Sequence, residues 1–222
     1  MPLGSVPTWL VAGLGNPGST YRRTRHNVGF LVVDQLVARD PRASWLPYGG
    51  GLHSHVRIGE LVLRLVKPQT YMNRSGRVVA PVLRALGLAS SQLVVIHDDV
   101  DLPLGRLRVK AGGGHGGHNG LRSIEQELAA RDYLRVRVGI GRPPEDEDLT
   151  DWVLGPFDPA EDPLRRETIA RAADAVTTVV MEGWKAAANR FNAKPRGQAP
   201  ASTQDGEGKE GEGRRGGDQD ST

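Results

Sequence analysis

The stretch that decides the fold is Leu93-Val94-Val95-Ile96-His97-Asp98-Asp99-Val100-Asp101, in which four branched apolar residues lead directly into a histidine and three acids. An apolar run of this kind predicts a buried strand, and its polar end then meets water at one edge of a sheet. The acids at that end can hold a metal ion, orient a histidine or cap a turn. The stretch therefore predicts a functional edge but leaves its chemistry open.

Strand patterns alternate with helical patterns on both sides of this stretch. Residues 9–14 and 133–140 form further strand-like runs, and residues 52–58 and 61–66 read as the two strands of a hairpin. Strands that alternate with helices indicate α/β layers, and the hairpin makes the sheet mixed. We predict an α/β fold with a single domain, residues 1–194, in which helices flank a twisted mixed β-sheet.

Composition excludes several kinds of site and bounds the partners. The chain has no cysteine, which excludes disulfides, thiolate metal sites and a cysteine nucleophile. It has no apolar run near the ~20 residues of a membrane span and no basic segment typical of a signal peptide, so we expect a cytoplasmic protein. The formal net charge is +3, so the protein can bind a polyanionic partner, although the charge does not require one. Residues 195–222 lack aromatic and branched aliphatic side chains. This composition predicts a disordered polar tail.

The first predicted strand ends in a glycine pattern that formally matches a dinucleotide-binding loop. Gly13, Gly15 and Gly18 satisfy G-x-G-x-x-G, but that loop must open directly into a helix whose N-terminus meets a pyrophosphate. Here Pro17-Gly18 makes a turn instead. The acid expected about 20 residues on, at the tip of a second strand, is also missing, because Asp34 falls inside a helical pattern. The pattern therefore disfavours nucleotide binding.

Two catalytic chemistries are weakened by missing motifs. A metal hydrolase could draw on grouped histidines and acids, but H-E-x-x-H and an ordered calcium loop are both absent and glycines separate the later histidines. The candidate ligands are His97, Asp98, Asp99, Asp101, His115 and His118. Nucleophilic catalysis lacks a G-x-S-x-G elbow as well as a cysteine.

A histidine general base held by a carboxylate fits the remaining polar residues. His26 lies at a predicted helix start, which disfavours the protonated imidazole, and Asp98 or Asp99 can orient it. Amides that can read a peptide backbone come from Asn16, Asn73 and Asn119. Phosphate partners come from two alternating basic runs with Arg106, Arg108, Lys110, Arg135 and Arg137. A non-enzymatic RNA-binding protein would use the same cations, but it gives His26 and the asparagines no task.

Five ordered motifs resemble the bacterial peptidyl-tRNA hydrolase family and cover about residues 8 to 193. The first is Gly13-Leu14-Gly15-Asn16-Pro17-Gly18, continued by Tyr21 and Thr24-Arg25-His26-Asn27-Val28-Gly29-Phe30. The others are Lys67-Pro68-Gln69-Thr70-Tyr71-Met72-Asn73-Arg74-Ser75-Gly76, His97-Asp98-Asp99-Val100-Asp101-Leu102-Pro103, residues 112–121, and Arg137-Val138-Gly139-Ile140-Gly141-Arg142-Pro143. Five motifs in one order are far more specific than any one of them.

The resemblance implies an activity and a kind of partner. It implies hydrolysis of the ester bond between an N-blocked peptide and the 3′-terminal ribose of tRNA, which releases free tRNA and peptide. The reaction uses no metal, no cofactor and no covalent intermediate. The substrate, peptidyl-tRNA, is then the nucleic-acid partner, and the family is usually monomeric and needs no protein partner.

The resemblance also implies roles for individual residues. His26 is the catalytic base, and Asp98 keeps it basic and oriented. The substrate-binding residues are Asn16, Tyr21, Tyr71, Asn73 and Asn119. Lys110 and Arg137 match the positions that clamp tRNA phosphates, and Arg108, on the same basic run as Lys110, is included with them.

Two stretches depart from the family pattern. The loop after Arg142-Pro143 often carries a lysine in the family, but this chain has Pro144-Glu145-Asp146-Glu147-Asp148. We expect one tRNA contact to be lost or weakened at this acidic loop. Residues 195–222 lie outside the resemblance and have no assigned role.

Overall fold

The strand that carries Asp98 lies inside one mixed sheet. The structure is a computed structural model that describes residues 6–193, and within them seven strands follow the order β2-β3-β4-β1-β5-β7-β6. They are β1 Thr8–Gly13, β2 Leu46–Tyr48, β3 Gly51–Ile58, β4 Leu61–Pro68, β5 Leu93–Asp99, β6 Leu107–Ala111 and β7 Leu134–Gly139. β1 runs parallel to β4 and β5, and β5 parallel to β7, whereas β2–β3, β3–β4 and β6–β7 pair antiparallel. The predicted mixed α/β sheet and its hairpin are confirmed.

Helices cover both faces of this sheet. They are α1 Val28–Val37, α2 Gly76–Ala85, α3 Asn119–Leu128, α4 Leu149–Leu154, α5 Asp162–Glu182 and α6 Trp184–Phe191. Successive side chains of a strand point to opposite faces. Val94 and Ile96 of β5 pack toward α1 and α5, while Leu93 and Val95 pack toward α2 and α3. The continuous apolar run thus reflects a strand that is buried on both faces.

Glycines in the opening motif allow α1 to approach the sheet closely. A side chain at Gly13 would collide with the carbonyl oxygen of Gly29, and one at Gly29 would lie 2.5 Å from the carbonyl oxygen of Ile96. Only glycine permits this contact between helix and strands. These glycines bring the start of α1 against the ends of β1 and β5, which is a packing role and not a nucleotide-binding one.

Two short elements were not expected from the sequence. β2 has three exposed residues, one of them a proline, and so carries no apolar signal. α4 has six residues and begins beside the acidic loop, where the Asp148 carboxylate accepts hydrogen bonds from the backbone N–H groups of Thr150 and Asp151. None of the helices within residues 6–193 is long and apolar enough to cross a membrane. The predicted tail, 195–222, lies outside the described residues.

Candidate active site

One cavity collects the polar ends of several elements. Its volume is about 650 Å³, and it lies where β5, the loop after β1, the glycine-rich loop before α3, and α4 meet. Nine of the predicted site residues line it: Asn16, Tyr21, His26, Tyr71, Asn73, Asp98, Lys110, Asn119 and Arg137. Arg108 does not line it; this side chain is exposed on β6. The loop after β1 and the end of β5 reach the cavity from the carboxyl ends of parallel strands, whereas the glycine-rich loop follows β6, which is antiparallel to β7, and reaches it from the other end of the sheet.

His26 and Asp98 form the central pair of this cavity. His26 sits in the 3-10 turn Arg25–Asn27 that directly precedes α1, and Asp98 is the last residue but one of β5, 72 positions further along the chain. The Nδ1 atom of His26 lies 2.9 Å from both carboxylate oxygens of Asp98. An Nδ1–H that donates to a carboxylate leaves a lone pair on Nε2. The geometry therefore leaves His26 with a basic nitrogen for another partner.

His118 holds the same carboxylate from the other side. Its Nε2 lies 3.0 Å from Oδ1 of Asp98, while its Nδ1 accepts the backbone N–H groups of Gly120 (3.1 Å) and Leu121 (3.3 Å) at the start of α3. Because Nδ1 accepts, the hydrogen must be on Nε2, where it is donated to Asp98. His118 is therefore a support with both nitrogens engaged. Sequence reasoning considered His118 only as a metal ligand, although a histidine before a helix start can cap it.

The same three side chains also have the spacing of a metal site. One ligand atom from each of His26, Asp98 and His118 lies within 4.8 Å of the others. A metal ion needs a lone pair from each ligand, yet Nε2 of His118 can offer one only if Nδ1 carries the hydrogen and faces two backbone N–H groups. The hydrogen-bond pattern thus favours two histidine N–H groups that both donate to the Asp98 carboxylate, and it disfavours a metal centre.

The other residues considered as metal ligands have partners of their own: the His97 ring packs against that of His118, with centroids 4.9 Å apart, and Nδ1 of His115 accepts the backbone N–H of Gly117. Asp99 pairs with Arg137, and Asp101 with Arg142. His97 donates from Nδ1 to the backbone oxygen of Asp98, 2.7 Å away. Each of these groups thus has a structural partner of its own.

The charges of the central residues follow from their partners. Burial alone would raise the pKa of the Asp98 carboxyl, but the attraction and hydrogen bonds of His26 and His118 hold that pKa well below its usual range. Burial lowers the pKa of His26, and the charge and hydrogen bond of Asp98 outweigh it, so the pKa is raised above 6.5. Burial, helped by nearby His118, lowers the pKa of His97 to about 3. Asp98 is therefore an anion and His97 is neutral at neutral pH.

The three predicted asparagines differ in how they are held. Asn16 is buried, and its Oδ1 accepts the backbone N–H of Met72 at 2.8 Å. Its backbone is fixed by Asn27, which accepts from the Asn16 N–H and donates to the Asn16 carbonyl oxygen. Asn16 thus keeps its amide Nδ2 for another partner. Asn73 and Asn119 are exposed at the cavity, and Asn27 is a structural contributor that the sequence pattern did not single out.

Two tyrosines form a rim of the cavity. The rings of Tyr21 and Tyr71 meet edge to face, with centroids 6.5 Å apart, a geometry that aromatic pairs favour. Tyr71 remains 60% exposed. This rim can contact a planar or extended ligand that enters the cavity.

The predicted basic runs separate into two kinds of residue. Lys110 and Arg137 face the cavity, and Arg137 is paired through Nε with Asp99. Arg135 also lines the cavity, but it is 3% exposed and its guanidinium donates to the backbone oxygens of Gly113 and Gly114. The glycine-rich loop before α3 thus engages one of the two β7 cations, whereas Arg137 is paired with Asp99.

Comparisons with known proteins agree over most of the chain. A family model described as Peptidyl-tRNA hydrolase matches residues 10–199. The peptidyl-tRNA hydrolase of Nocardia farcinica is 49% identical over 185 residues, which is 82% of this chain and 95% of that protein. The one from Mycobacterium tuberculosis is 45% identical over 193 residues, 83% and 97% of the two chains. A crystal structure of peptidyl-tRNA hydrolase from Acinetobacter baumannii has a TM-score of 0.78 and 38% identity, covering 84% of this chain and 95% of that one.

Proposed function

This chain belongs to the peptidyl-tRNA hydrolase family, and from that premise we propose that it cleaves the ester bond between an N-blocked peptide and the 3′-terminal ribose of tRNA. One observation carries the mechanism: His26 is fixed at 2.9 Å from Asp98 through Nδ1, which leaves Nε2 available in a cavity with amide and cationic groups. Family membership supports the overall reaction, and the geometry supports the assignment of the base.

In the proposed reaction, His26 acts as a general base on water. Nε2 takes a proton from the water as its oxygen attacks the ester carbonyl, and the resulting imidazolium is stabilised by the Asp98 carboxylate. The tetrahedral intermediate then expels the ribose 3′ oxygen, which receives the proton from His26. One water is consumed, and the products are the peptide acid and the free tRNA hydroxyl.

The carbonyl oxygen becomes negatively charged in this step and needs a hydrogen-bond donor. Asn119 begins α3 and is exposed at the cavity, so its side-chain amide is a candidate donor, whereas the next two backbone N–H groups, of Gly120 and Leu121, are already bound by His118. Asn73 offers a second amide at the cavity wall. These residues are our candidates for binding the ester and its oxyanion.

Asn16 supplies a basis for distinguishing blocked from free aminoacyl groups. Its Oδ1 already accepts the N–H of Met72, so Nδ2, an N–H donor, is the group that it can offer to substrate. An N-blocked substrate has an acyl carbonyl beyond the ester that can accept this bond, whereas a free aminoacyl group has a protonated amine there. We therefore assign Asn16 a role in substrate preference.

The tRNA end of the substrate is assigned to the basic residues. Lys110 and Arg137 lie at the cavity, where they can neutralise phosphates, and Arg108 lies on the same strand as Lys110 but outside the cavity. Phosphate contacts release counterions, so binding should weaken as salt rises. Tyr21 and Tyr71 are placed to contact the terminal nucleotide or the peptide at the rim.

The deciding experiment is a hydrolysis assay on N-acetyl-aminoacyl-tRNA and on the matching free aminoacyl-tRNA, at two salt concentrations. We expect turnover of the blocked substrate only, weaker binding at higher salt, and full activity in excess chelator. Binding without turnover of either substrate would favour an RNA-binding protein instead. Activity that disappears with chelator and returns with a divalent ion would favour a metal hydrolase.

A further inference from the structure

Arg25, the residue immediately before His26, is buried in an aromatic and acidic surrounding. It is 4% exposed, and its guanidinium carbon lies 3.8 Å from the ring centroid of Trp152 and 4.8 Å from that of Phe157. Both terminal nitrogens contact the Glu161 carboxylate, at 2.8 Å and 3.1 Å. A guanidinium that is stacked and doubly hydrogen-bonded in this way is held in one orientation.

Backbone contacts join the same two segments. The N–H of Arg25 donates to the carbonyl oxygen of Gly155 at 2.9 Å, and Thr24 forms an antiparallel bridge with Pro156. The same Trp152 ring that stacks on Arg25 also donates its indole N–H to the carbonyl oxygen of Gly141 at 2.9 Å. The turn Arg25–Asn27 and residues 152–157 are thus tied by both main-chain and side-chain bonds.

These ties matter because α4 is a wall of the cavity. Leu149, Thr150, Val153 and Leu154 line it together with His26, whereas Trp152 of the same helix contacts Arg25 behind the wall. α4 has only six residues, and a helix that short has little stability of its own. Its position must therefore come from tertiary contacts such as this one.

The ion pair itself is poor evidence for stability, because the desolvation of the buried Arg25 offsets much of its attraction to Glu161, whose side chain is partly exposed. Its directional contacts instead fix the relative geometry of the groups that it joins. We propose that Arg25 is a positioning residue, which sets α4 and the turn of His26 in one fixed arrangement around the substrate. This inference rests on the proposed function, and it adds a residue that does not touch the reacting atoms.

The proposal predicts an effect on turnover more than on binding. Small displacements of a base from its attack geometry lower the rate strongly, while the phosphate contacts that we assign to Lys110 and Arg137 do not involve Arg25, which does not line the cavity. We expect Arg25→Gln to lower kcat about tenfold or more and to change KM by about twofold or less. Arg25→Lys keeps the charge near Glu161 but loses the planar stack, and we expect it to restore part of kcat.

The test is a double-mutant cycle between Arg25→Gln and Trp152→Leu, with hydrogen–deuterium exchange of residues 148–157 as a second readout. We expect the two kcat losses to be non-additive, with the double variant close to the worse single variant, and faster exchange in both single variants. The control is Arg165→Gln, whose guanidinium lies 5.8 Å from the same Phe157 ring and pairs with Asp162; it should leave kcat and exchange of the segment unchanged.

Several outcomes would overturn the proposal. They are an unchanged kcat in Arg25→Gln, kcat losses that simply add, and unchanged exchange in residues 148–157. If Arg25→Gln does not fold, the same cycle is run with Arg25→Lys, which is checked by its Tm. If the wild-type chain shows no turnover of blocked aminoacyl-tRNA, the proposed function fails, but exchange still tests the link between Arg25 and α4.

Discussion

Asp98 and Asp99 are neighbours at the end of one strand and both are buried, but Asp98 binds histidines and Asp99 binds an arginine. Asp98 receives N–H groups from two histidines, His26 and His118, whereas Asp99 is paired with the permanent cation Arg137. The alternation of side chains along a strand sends the two carboxylates in different directions. The same residue type with similar burial is thus divided between two environments by one step along β5.

The difference shows that the partner, and not the carboxylate, sets the chemistry at each position. A histidine that donates to Asp98 gains basicity at its other nitrogen, so this environment can move a proton. Arginine keeps its proton at all pH values near neutrality. The pair of Asp99 and Arg137 therefore cannot transfer a proton, and the carboxylate can only hold the guanidinium in place. In the proposed mechanism, Asp98 belongs to turnover and Asp99 to tRNA binding, and mutations at the two positions should separate these effects.

The largest expected effect comes from removing the base on the Asp98 side. We expect His26→Ala to lower kcat for N-acetyl-aminoacyl-tRNA by about 10²- to 10⁴-fold, the usual contribution of a general base. Affinity for tRNA should stay near that of the wild type, because no phosphate contact is changed. Initial rates and a filter-binding assay measure the two quantities. Turnover near the wild-type rate would remove His26 from the mechanism.

The second prediction compares the two carboxylates directly. The pKa of His26 is raised above 6.5 by Asp98, and only the unprotonated base is active, so wild-type kcat/KM should fall as pH decreases through that pKa. Asp98→Asn removes the charge, which should lower the pKa of His26, move the acidic limb to lower pH, and reduce kcat about a hundredfold.

Asp99→Asn is the matched control for that profile, since it changes the neighbouring carboxylate in the same way. We expect its acidic limb to stay at the wild-type pH and its main effect to fall on KM. A limb that moves equally in both variants would mean that general electrostatics, and not the contact with His26, sets the pKa.

A smaller loss is expected from the second histidine on Asp98. His118→Asn keeps a good N-cap for α3 but loses the hydrogen bond to the carboxylate, which is worth about 1.5 kcal/mol for a charged acceptor. We therefore expect kcat to fall about tenfold with little change in Tm. Excess chelator should leave the rate of the wild type and the rate of His118→Asn unchanged, each relative to the same protein without chelator. A His118→Asn variant that has wild-type kcat would show that Asp98 needs no second support.

Much of the fold was predictable because β5 and its neighbours carry strong patterns. The continuous apolar residues Leu93 to Ile96 are covered on both faces, and the hairpin of β3 and β4 was found with nearly the same bounds. β2 and α4 were missed because three exposed residues and six residues carry too little periodicity. Length of the element, more than its importance to the site, decided what the sequence revealed.

The candidate site was predictable residue by residue but not contact by contact. The motifs pointed to His26, Asp98 and the three asparagines, yet only tertiary packing brings a turn and a strand end 72 positions apart within 2.9 Å. The supports were missed because their partners cannot be read from spacing: they are Arg25, Asn27 and His118. Arg135 shows the same limit, since an alternating basic run does not tell which cations will be engaged by a neighbouring loop, as Arg135 is by Gly113 and Gly114.

The smallest expected effect is on the Asp99 side, where binding should change and turnover should not. Arg137→Gln removes one proposed phosphate contact, so KM should rise and the slope of log K against log salt should fall by about one. Arg108→Gln removes the same charge from an exposed position outside the cavity; its slope should stay near that of the wild type if only cavity cations reach phosphate. Equal slopes for the two variants would mean that total charge, and not the place beside Asp99, governs tRNA affinity. Because kcat should be unchanged in both, a loss of turnover in Arg137→Gln would join the Asp99 environment to the chemistry that we assign to Asp98.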